Sequence, residues 1–459
     1  MDIQRLTGPS VRCSELVSAL SNALDLAEGE PYGHALRSCL IGMRLGEALD
    51  LSGDVKAALY YTLLLKDAGG SSTAAAFADL FGCDDRLVKH ALKTIDWTRR
   101  SDIARVAVRD AGRGRPLGTR LGRILKIALA GPQGIRELVR IRCERGAELV
   151  RRMGFPEATG EAIRALDEHW NGRGYPTGRR AEQIPMLSRI ALLAQTADAW
   201  HVERGLDQAL GVVRRRRGTW FDPGLVDALL GWGNDSAWWN NLLRDGLAEQ
   251  VIAAEPADHV RRAGEQWVDE LAEAFAEIID AKTPFTRGNS TAIATRAVAI
   301  ARECTVGPAT QRRIYRAALL HDIGNLGVSN RILAKPGPLS PEEHKAIELH
   351  TVHTWEILSR ATPLQDVAGT AALHHERLDG SGYPKGVNRK RLDLPARILA
   401  VADVYVALIS QRPYRQALPP EVALALLRNE AEEGAFDASI VQALSRTLQE
   451  TPSPPVKVP

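Results

Sequence analysis

The chain has 459 residues, 45% of them hydrophobic and 25% charged, with a net charge of +3. At roughly 150 residues per domain this length predicts two or three domains; the composition is that of an ordinary globular protein, and the charge is too small to imply nucleic acid as an obligatory partner. Cys13, Cys39, Cys83, Cys143 and Cys304 lie far apart with no CxxC pair, which argues against a disulfide framework and a thiolate zinc site.

The first residues, "MDIQRLTGPS", lack a basic segment followed by an apolar one, and no uncharged apolar run approaches the roughly 20 residues that span a bilayer. A cytoplasmic protein with no membrane partner is expected. Helical spacing dominates from there on, and nothing reads as a sheet. "LLLKDAGG", residues 63–70, is an apolar helical run stopped by glycine. "VRDAGRGRPLGTRLGR", 108–123, reads as a surface excursion. "NGRGYPTG" occupies 171–178. "RRRR" follows at 214–217 and has the pattern of a solvated face; Trp220, Trp232, Trp238 and Trp239 are expected to pack the two halves together.

In the second half, Val260, Trp267, Leu271, Phe275 and Ile278 recur at helical spacing as one buried stripe, ended by Thr283-Pro284. "LLHDIGN", 319–325, repeats the outline of 63–70, with His321 where the first copy has Lys66. Ser340, Pro341 and Glu343 read as N-cap, first helical residue and capping box. The last residues, "TPSPPVKVP", read as a disordered tail.

The two halves share a register. Tyr175 and Tyr383 lie 208 positions apart, as do Arg189 and Arg397, and Glu148 and Glu356; upstream the offset is 255, relating Asp67 to Asp322, Gly69 to Gly324 and Gly33-His34 to Gly288-Asn289. About 47 extra residues therefore lie in the first copy. The boundaries that follow are a first domain over 1–212, an Arg- and Trp-rich connector over 213–256, a second domain over 257–447 and a tail over 448–459.

Four histidines of the second half fall on apolar helical faces. His321 follows Ile314 by seven, His350 follows Ile347 by three, and His374 and His375 follow Val367 and Ala371 at helical spacing; Asp403 sits inside "ARILAVADVYVAL". Inward polar groups need partners. A divalent cation partners all of them, because imidazole and carboxylate suit Mn, Fe and Zn, and an aspartate can bridge two ions. His344, His353 and His259 are read as surface or structural residues.

"HDIGN", "ILAKPGPLS", "HHERLDGSGYPKG", "PARILAVADVYVAL" and "QRPYRQAL" together resemble, in order and spacing, the motifs of the HD-GYP family, the branch of the HD metal-dependent phosphohydrolases associated with cyclic di-GMP breakdown. The resemblance covers about 270–430. It implies an all-α fold of two tandem HD-type helical bundles, and a centre of two divalent metal ions, Fe or Mn, ligated by His321, Asp322, His350, His374, His375 and Asp403, with His321 and Asp322 catalytic. It places substrate on Asn325, Lys335, Gly382, Tyr383, Pro384, Arg412 and Arg415. The implied reaction is hydrolysis of cyclic di-GMP to pGpG, and on to GMP, by in-line displacement at phosphorus. Implied partners are cyclic di-GMP, a diguanylate cyclase or other signalling protein at the GYP surface, and a second copy of the chain; nucleic acid is not among them.

Three departures from that pattern are visible. Asn289 stands at the family's first-helix histidine and Asn325 at the lysine after "HDIG", and Val406 replaces a carboxylate. These changes predict a weakened activity and leave two alternatives, a cyclic-dinucleotide receptor or protein-interaction module without turnover, and a phosphohydrolase of another nucleotide. The first half reads as a degenerate copy: His34 and Asp67 persist, but Lys66, Arg142, Leu166, Asp167 and Gln195 occupy the other ligand positions. Cations there repel a metal, so a structural or ligand-sensing role is expected, with Gly174, Tyr175 and Pro176 kept as a surface.

Overall fold

The computed structural model describes residues 10–97, 99–113 and 116–449. Within them the chain is helical apart from one short antiparallel pairing, Val11 with Ala263 and Arg12 with Arg262. Contacts divide it into two compact units between Trp267 and Val268.

The first unit contains α1 (Cys13–Glu28), α2 (His34–Ala48), α3 (Gly53–Leu65), α4 (Ala74–Phe81), α5 (Asp85–Thr94), α6 (Arg100–Asp110), α7 (Leu117–Arg152), α8 (Glu157–Arg164), α9 (Met186–Arg204), α10 (Leu206–Arg215), α11 (Pro223–Trp232), α12 (Ser236–Asn241) and α13 (Leu247–Ala253). α14 (Glu265–Asp280) runs across the division, and the second unit continues with α15 (Asn289–Glu303), α16 (Pro308–Leu320), α17 (Asn330–Leu333), α18 (Pro341–Leu358), α19 (Gln365–Ala372), α20 (Leu394–Ile409), α21 (Pro420–Glu432) and α22 (Ala438–Gln449). In α14 the residues Trp267, Leu271, Phe275 and Ile278 are buried, whereas Val260 lies before the helix and is exposed, so the stripe is one residue shorter than its spacing suggests.

The sequence register is realised helix by helix. α2 and α15, α3 and α16, and α8 and α19 begin and end at equivalent positions. α2 packs on α3 and α9; α15 packs on α16 and α20 in the same way. One glycine in each copy shows why the repeat survives. A Cβ on Gly69 would lie 1.9 Å from the carbonyl oxygen of Arg142, and a Cβ on Gly324 would lie 1.9 Å from that of His350. Only glycine lets these backbones approach so closely.

Local chemistry sets the helix ends that carry the site. Ser340 Oγ accepts from Glu343 N at 3.3 Å, and the Glu343 carboxylate accepts from Ser340 N at 2.8 Å, the capping box of α18. Asp393 caps α20 by accepting from Ala396 N. Apolar side chains then bury α20, with Ile398, Leu399, Val401 and Ala402 fully enclosed.

Two expectations are refined. The stretch 108–123 is largely exposed, with Val108, Leu117 and Leu121 more than half accessible, but the extra residues around it are not all surface: α4, α5, α6 and the start of α7 enclose their own core of Phe77, Phe81, Val88, Val106 and Ile127. Only Gly131, at φ 56 and ψ −164, interrupts α7. The tryptophans expected to pack the halves together find partners within the first unit. Trp220 stacks on His169 at 3.9 Å, Trp232 and Trp238 flank the Arg44 guanidinium at 4.4 and 4.5 Å, and Trp239 is buried against His201, all within the first unit. The stretch 213–256 accordingly folds as α11 to α13 of that unit. The tail from 450 onward lies outside the described residues.

Candidate metal centre

α16 delivers His321 at its C-terminal end, and Asp322 opens the short 3-10 turn Ile323–Gly327. His350 comes from the middle of α18, His374 and His375 follow α19, and Asp403 sits in the buried α20. These six converge. His321 Nε2 lies 3.4 Å from Asp322 Oδ2 and 3.8 Å from Asp403 Oδ1; His350 Nε2 and His374 Nε2 lie 3.4 and 3.8 Å from Asp322 Oδ1; His375 Nδ1 lies 3.8 Å from Asp403 Oδ2. They form two overlapping ligand groups, His350 with His374 and His375, and His321 with Asp322 and His374.

The backbone orients the imidazoles. Nδ1 of His321, His350 and His374 meets the carbonyl oxygen three residues earlier, on Ala318, Ile347 and Ala371. A carbonyl only accepts, so each Nδ1 donates, and the neutral form of each ring turns its Nε2 lone pair to the cluster. His350 Nε2 and His374 Nε2 then face each other at 3.3 Å as two acceptors. A cation between them resolves that contact, so the donors present fit divalent metal ions.

Electrostatics agree. Burial lowers His350 and takes His374 and His375 well below the ordinary imidazole value, leaving them neutral at pH 7. Burial would raise Asp322, but His321, His350 and His374 hold it well below the usual carboxylate range. Burial would lower His321, yet Asp322 and Asp403 carry it up to about 9, so unlike the other three it is protonated at pH 7 and gives up its Nε2 proton to ligate. Burial raises Asp403, which His321 only partly offsets.

A cavity of about 100 Å³ opens beside the cluster, lined by His321, Asp322, Asp403, Asn289, Asn325 and Arg412 among others. Arg412 is thus at the cavity. Arg415 is not: its guanidinium donates to the carbonyls of Ala407, Leu408 and Gln416, which fixes the loop after α20. Lys335 also lies outside the lining, paired with Glu343 at the start of α18. Gly382 carries the GYP loop past the histidines, where a Cβ would meet His375 O at 2.4 Å, and the Tyr383 ring sits 4.8 Å from that of His375. Glu376 pins the loop around Pro384 by accepting from Lys385 N and Val387 N. Asn289 Oδ1 accepts from Ser410 Oγ at 3.4 Å, and Asn325 Oδ1 has no partner among the described residues.

Sequence reasoning missed Asp280 and Lys282, which also line the cavity. Asp280 accepts from Ser290 N and Oγ at the start of α15, and Lys282 donates to Leu326 O beside Asn325. The repeat carried the signal for Asp280, because Asp25 accepts from Ala35 N at the start of α2 in the same register.

In the first unit the equivalent centre is filled by its own cations. Lys66 pairs with Asp67 and Arg142 with Asp167; Lys93 lies 3.5 Å from Asp67 and 3.7 Å from Glu30; Lys89 lies 3.2 Å from Glu28. Despite burial, Lys66, Lys93 and Arg142 hold Asp67 well below its ordinary value. His34 is retained, but Asp198 holds its Nδ1 at 2.7 Å and also binds Arg37. Side-chain ammonium and guanidinium groups here occupy the role that the second unit leaves to metal.

The second unit thus defines a class, helical domains that gather imidazoles and carboxylates from separate helices into a metal centre. The HD domain family matches residues 135–225 and 273–440. Over 446 residues the chain is 39% identical to the 3'3'-cGAMP-specific phosphodiesterase 3 of Vibrio cholerae, covering 97% of this chain and 96% of that one. A crystal structure of a cyclic GMP-AMP specific phosphodiesterase of V. cholerae superimposes with a TM-score of 0.68 at 35% identity, covering 97% and 99% of the two chains. A cyclic di-GMP phosphodiesterase of Thermotoga maritima is 44% identical over 126 residues, 27% of this chain and 34% of that one. The protein belongs to the HD domain family, in its HD-GYP branch.

Proposed function

We propose that the second unit hydrolyses a cyclic dinucleotide, opening one phosphodiester to give a linear product. The observation that carries this is the convergence of His321, Asp322, His350, His374, His375 and Asp403 in one cluster, beside a cavity lined by His321, Asp322, Asp403 and Arg412. Similarity along nearly the whole chain to a cyclic GMP-AMP phosphodiesterase favours that substrate over cyclic di-GMP.

His321, His350, His374 and His375, with Asp322 and Asp403, would hold the metal. Bound divalent ions supply Lewis acidity that lowers the pKa of water and offsets charge at the reacting phosphate. The carbonyls of Ala318, Ile347 and Ala371 keep the Nδ1 protons and so keep each Nε2 free to ligate. Arg412 would neutralise the diester as a guanidinium fork. Asp280, held by Ser290, orients the turn that carries Asn289 into the cavity.

The test is turnover of cyclic GMP-AMP and cyclic di-GMP with added Mn or Fe, for the wild type and Asp322→Ala. A linear dinucleotide that disappears in Asp322→Ala, with at least a hundredfold loss of rate and loss of bound metal, is expected. Undiminished turnover in that variant would remove the mechanism. A second reading, binding without turnover, rests on Asn289 and Asn325, both at the cavity. In that case Asn289→His with Asn325→Lys creates an activity that the wild type lacks.

A further inference from the structure

The arginine run at 214–217 does not behave as one solvated face. Arg214 is exposed and Arg217 pairs with Asp227, but Arg216 is only 9% exposed, and its Nη1 finds no partner among the described residues. Arg216 lines a cavity of about 390 Å³ in the first unit, bordered by the end of α5, the segment before α6, α9 and the end of α10. That volume is within the range of small-molecule sites.

The lining is unbalanced in charge. Five arginines, Arg99, Arg105, Arg173, Arg215 and Arg216, face it against two aspartates. Asp96 pairs with Arg99 and Asp102 with Arg105, both at 3.1 Å. Arg173, Arg215 and Arg216 have no ion pair among the described residues. Trp200 adds an indole Nε1, buried and without a partner there. Water reaches the exposed Arg173 and Arg215, but Arg216 is buried against the Trp220 ring at 3.8 Å and its Nη1, like Trp200 Nε1, still calls for an acceptor; the unneutralised charge of the three guanidinium groups favours an anion. Burial brings Arg216 down to about 10, with Asp96 only partly opposing, so it stays charged at pH 7 without a counter-ion of its own. Burying such a charge is costly unless it is paired.

We propose that this cavity is a second ligand site, separate from the metal centre, which takes a phosphate-bearing small molecule of nucleotide size through Arg173, Arg215 and Arg216. Phosphate suits it because a guanidinium presents paired donors that match phosphate oxygens. The site does not depend on the reading of the second unit, and it gives the first unit a ligand-binding role apart from its degenerate centre, where lysine and arginine pair with the carboxylates.

The test is calorimetric titration of the full chain with GMP, for the wild type, Asp322→Ala, and Arg173→Gln combined with Arg215→Gln. Arg173 and Arg215 are exposed, so that pair does not threaten folding. Saturable binding that survives in Asp322→Ala and weakens at least tenfold in the double arginine variant is expected. Absence of binding up to millimolar GMP, or binding lost in Asp322→Ala and kept in the arginine variant, would overturn the proposal.

Discussion

A single methyl group tests the GYP loop. Gly382 lies so close to His375 O and Arg377 N that a Cβ would sit 2.4 and 2.5 Å from them, both backbone atoms that cannot swing aside. Gly382→Ala should cost about 1–3 kcal/mol, lower the melting midpoint and displace His375 enough to cut turnover more than tenfold. A variant with unchanged melting and rate would show that the loop has slack. Asp25 gives a pH signature. Burial raises it to about 8, with Lys66 opposing, while its unfolded counterpart titrates near 4. The folded protein therefore holds a proton that the unfolded chain releases, so this group's contribution falls as pH climbs from about 4 to 8 and is level beyond. Asp25→Asn keeps an acceptor for Ala35 N and removes the titration. Its stability relative to wild type should increase from pH 5 to pH 8, read from urea midpoints; a constant difference would sink the assignment.

Helix ends decide how the ligands are carried. Ser340→Ala removes the acceptor for Glu343 N and should cost about 1 kcal/mol, seen as a lower urea midpoint. His350 lies ten residues further along α18, so metal content should not change; lost metal would mean that the cap positions the ligand directly. At this scale much could be read in advance. Ser340, Pro341 and Glu343 state the start of α18 outright, and the histidines fall inward because periodicity alone places them. The inserted helices could not be read so. Their core joins Phe77 to Ile127 across fifty positions, and Gly- and Arg-rich sequence hides it. Nor does local sequence disclose where long charged side chains point. Arg415 turns back onto the end of α20, and Lys335 finds Glu343 in the following helix, because backbone carbonyls and a cap glutamate lie nearer than any substrate. Asp280 and Lys282 escaped notice because a helix end rather than a motif delivers them.

The whole molecule joins two answers to one problem. The second unit gathers acceptors that call for metal, while the first balances its carboxylates with Lys66, Lys89, Lys93 and Arg142. Chelation should therefore lower the melting transition of the second unit, since a ligand bound only by the folded state stabilises it. The transition of the first unit should stay in place. Scanning calorimetry with and without EDTA reads both; equal shifts, or none, would contradict this division. The repeat made that contrast legible, because a fixed register identifies Lys66 and Arg142 as replacements. It did not reveal that Lys89 and Lys93 arrive from the inserted α5, since no counterpart exists in the second copy.

The tethering of His321, His350 and His374 to carbonyls of their own helices has one more consequence. The imidazoles are already aimed before any ion arrives, so folding has met most of the ordering cost of the site, and the fixed directions favour an ion whose preferred geometry suits them. The turnover proposed above would then track the supply of ions that fit this socket.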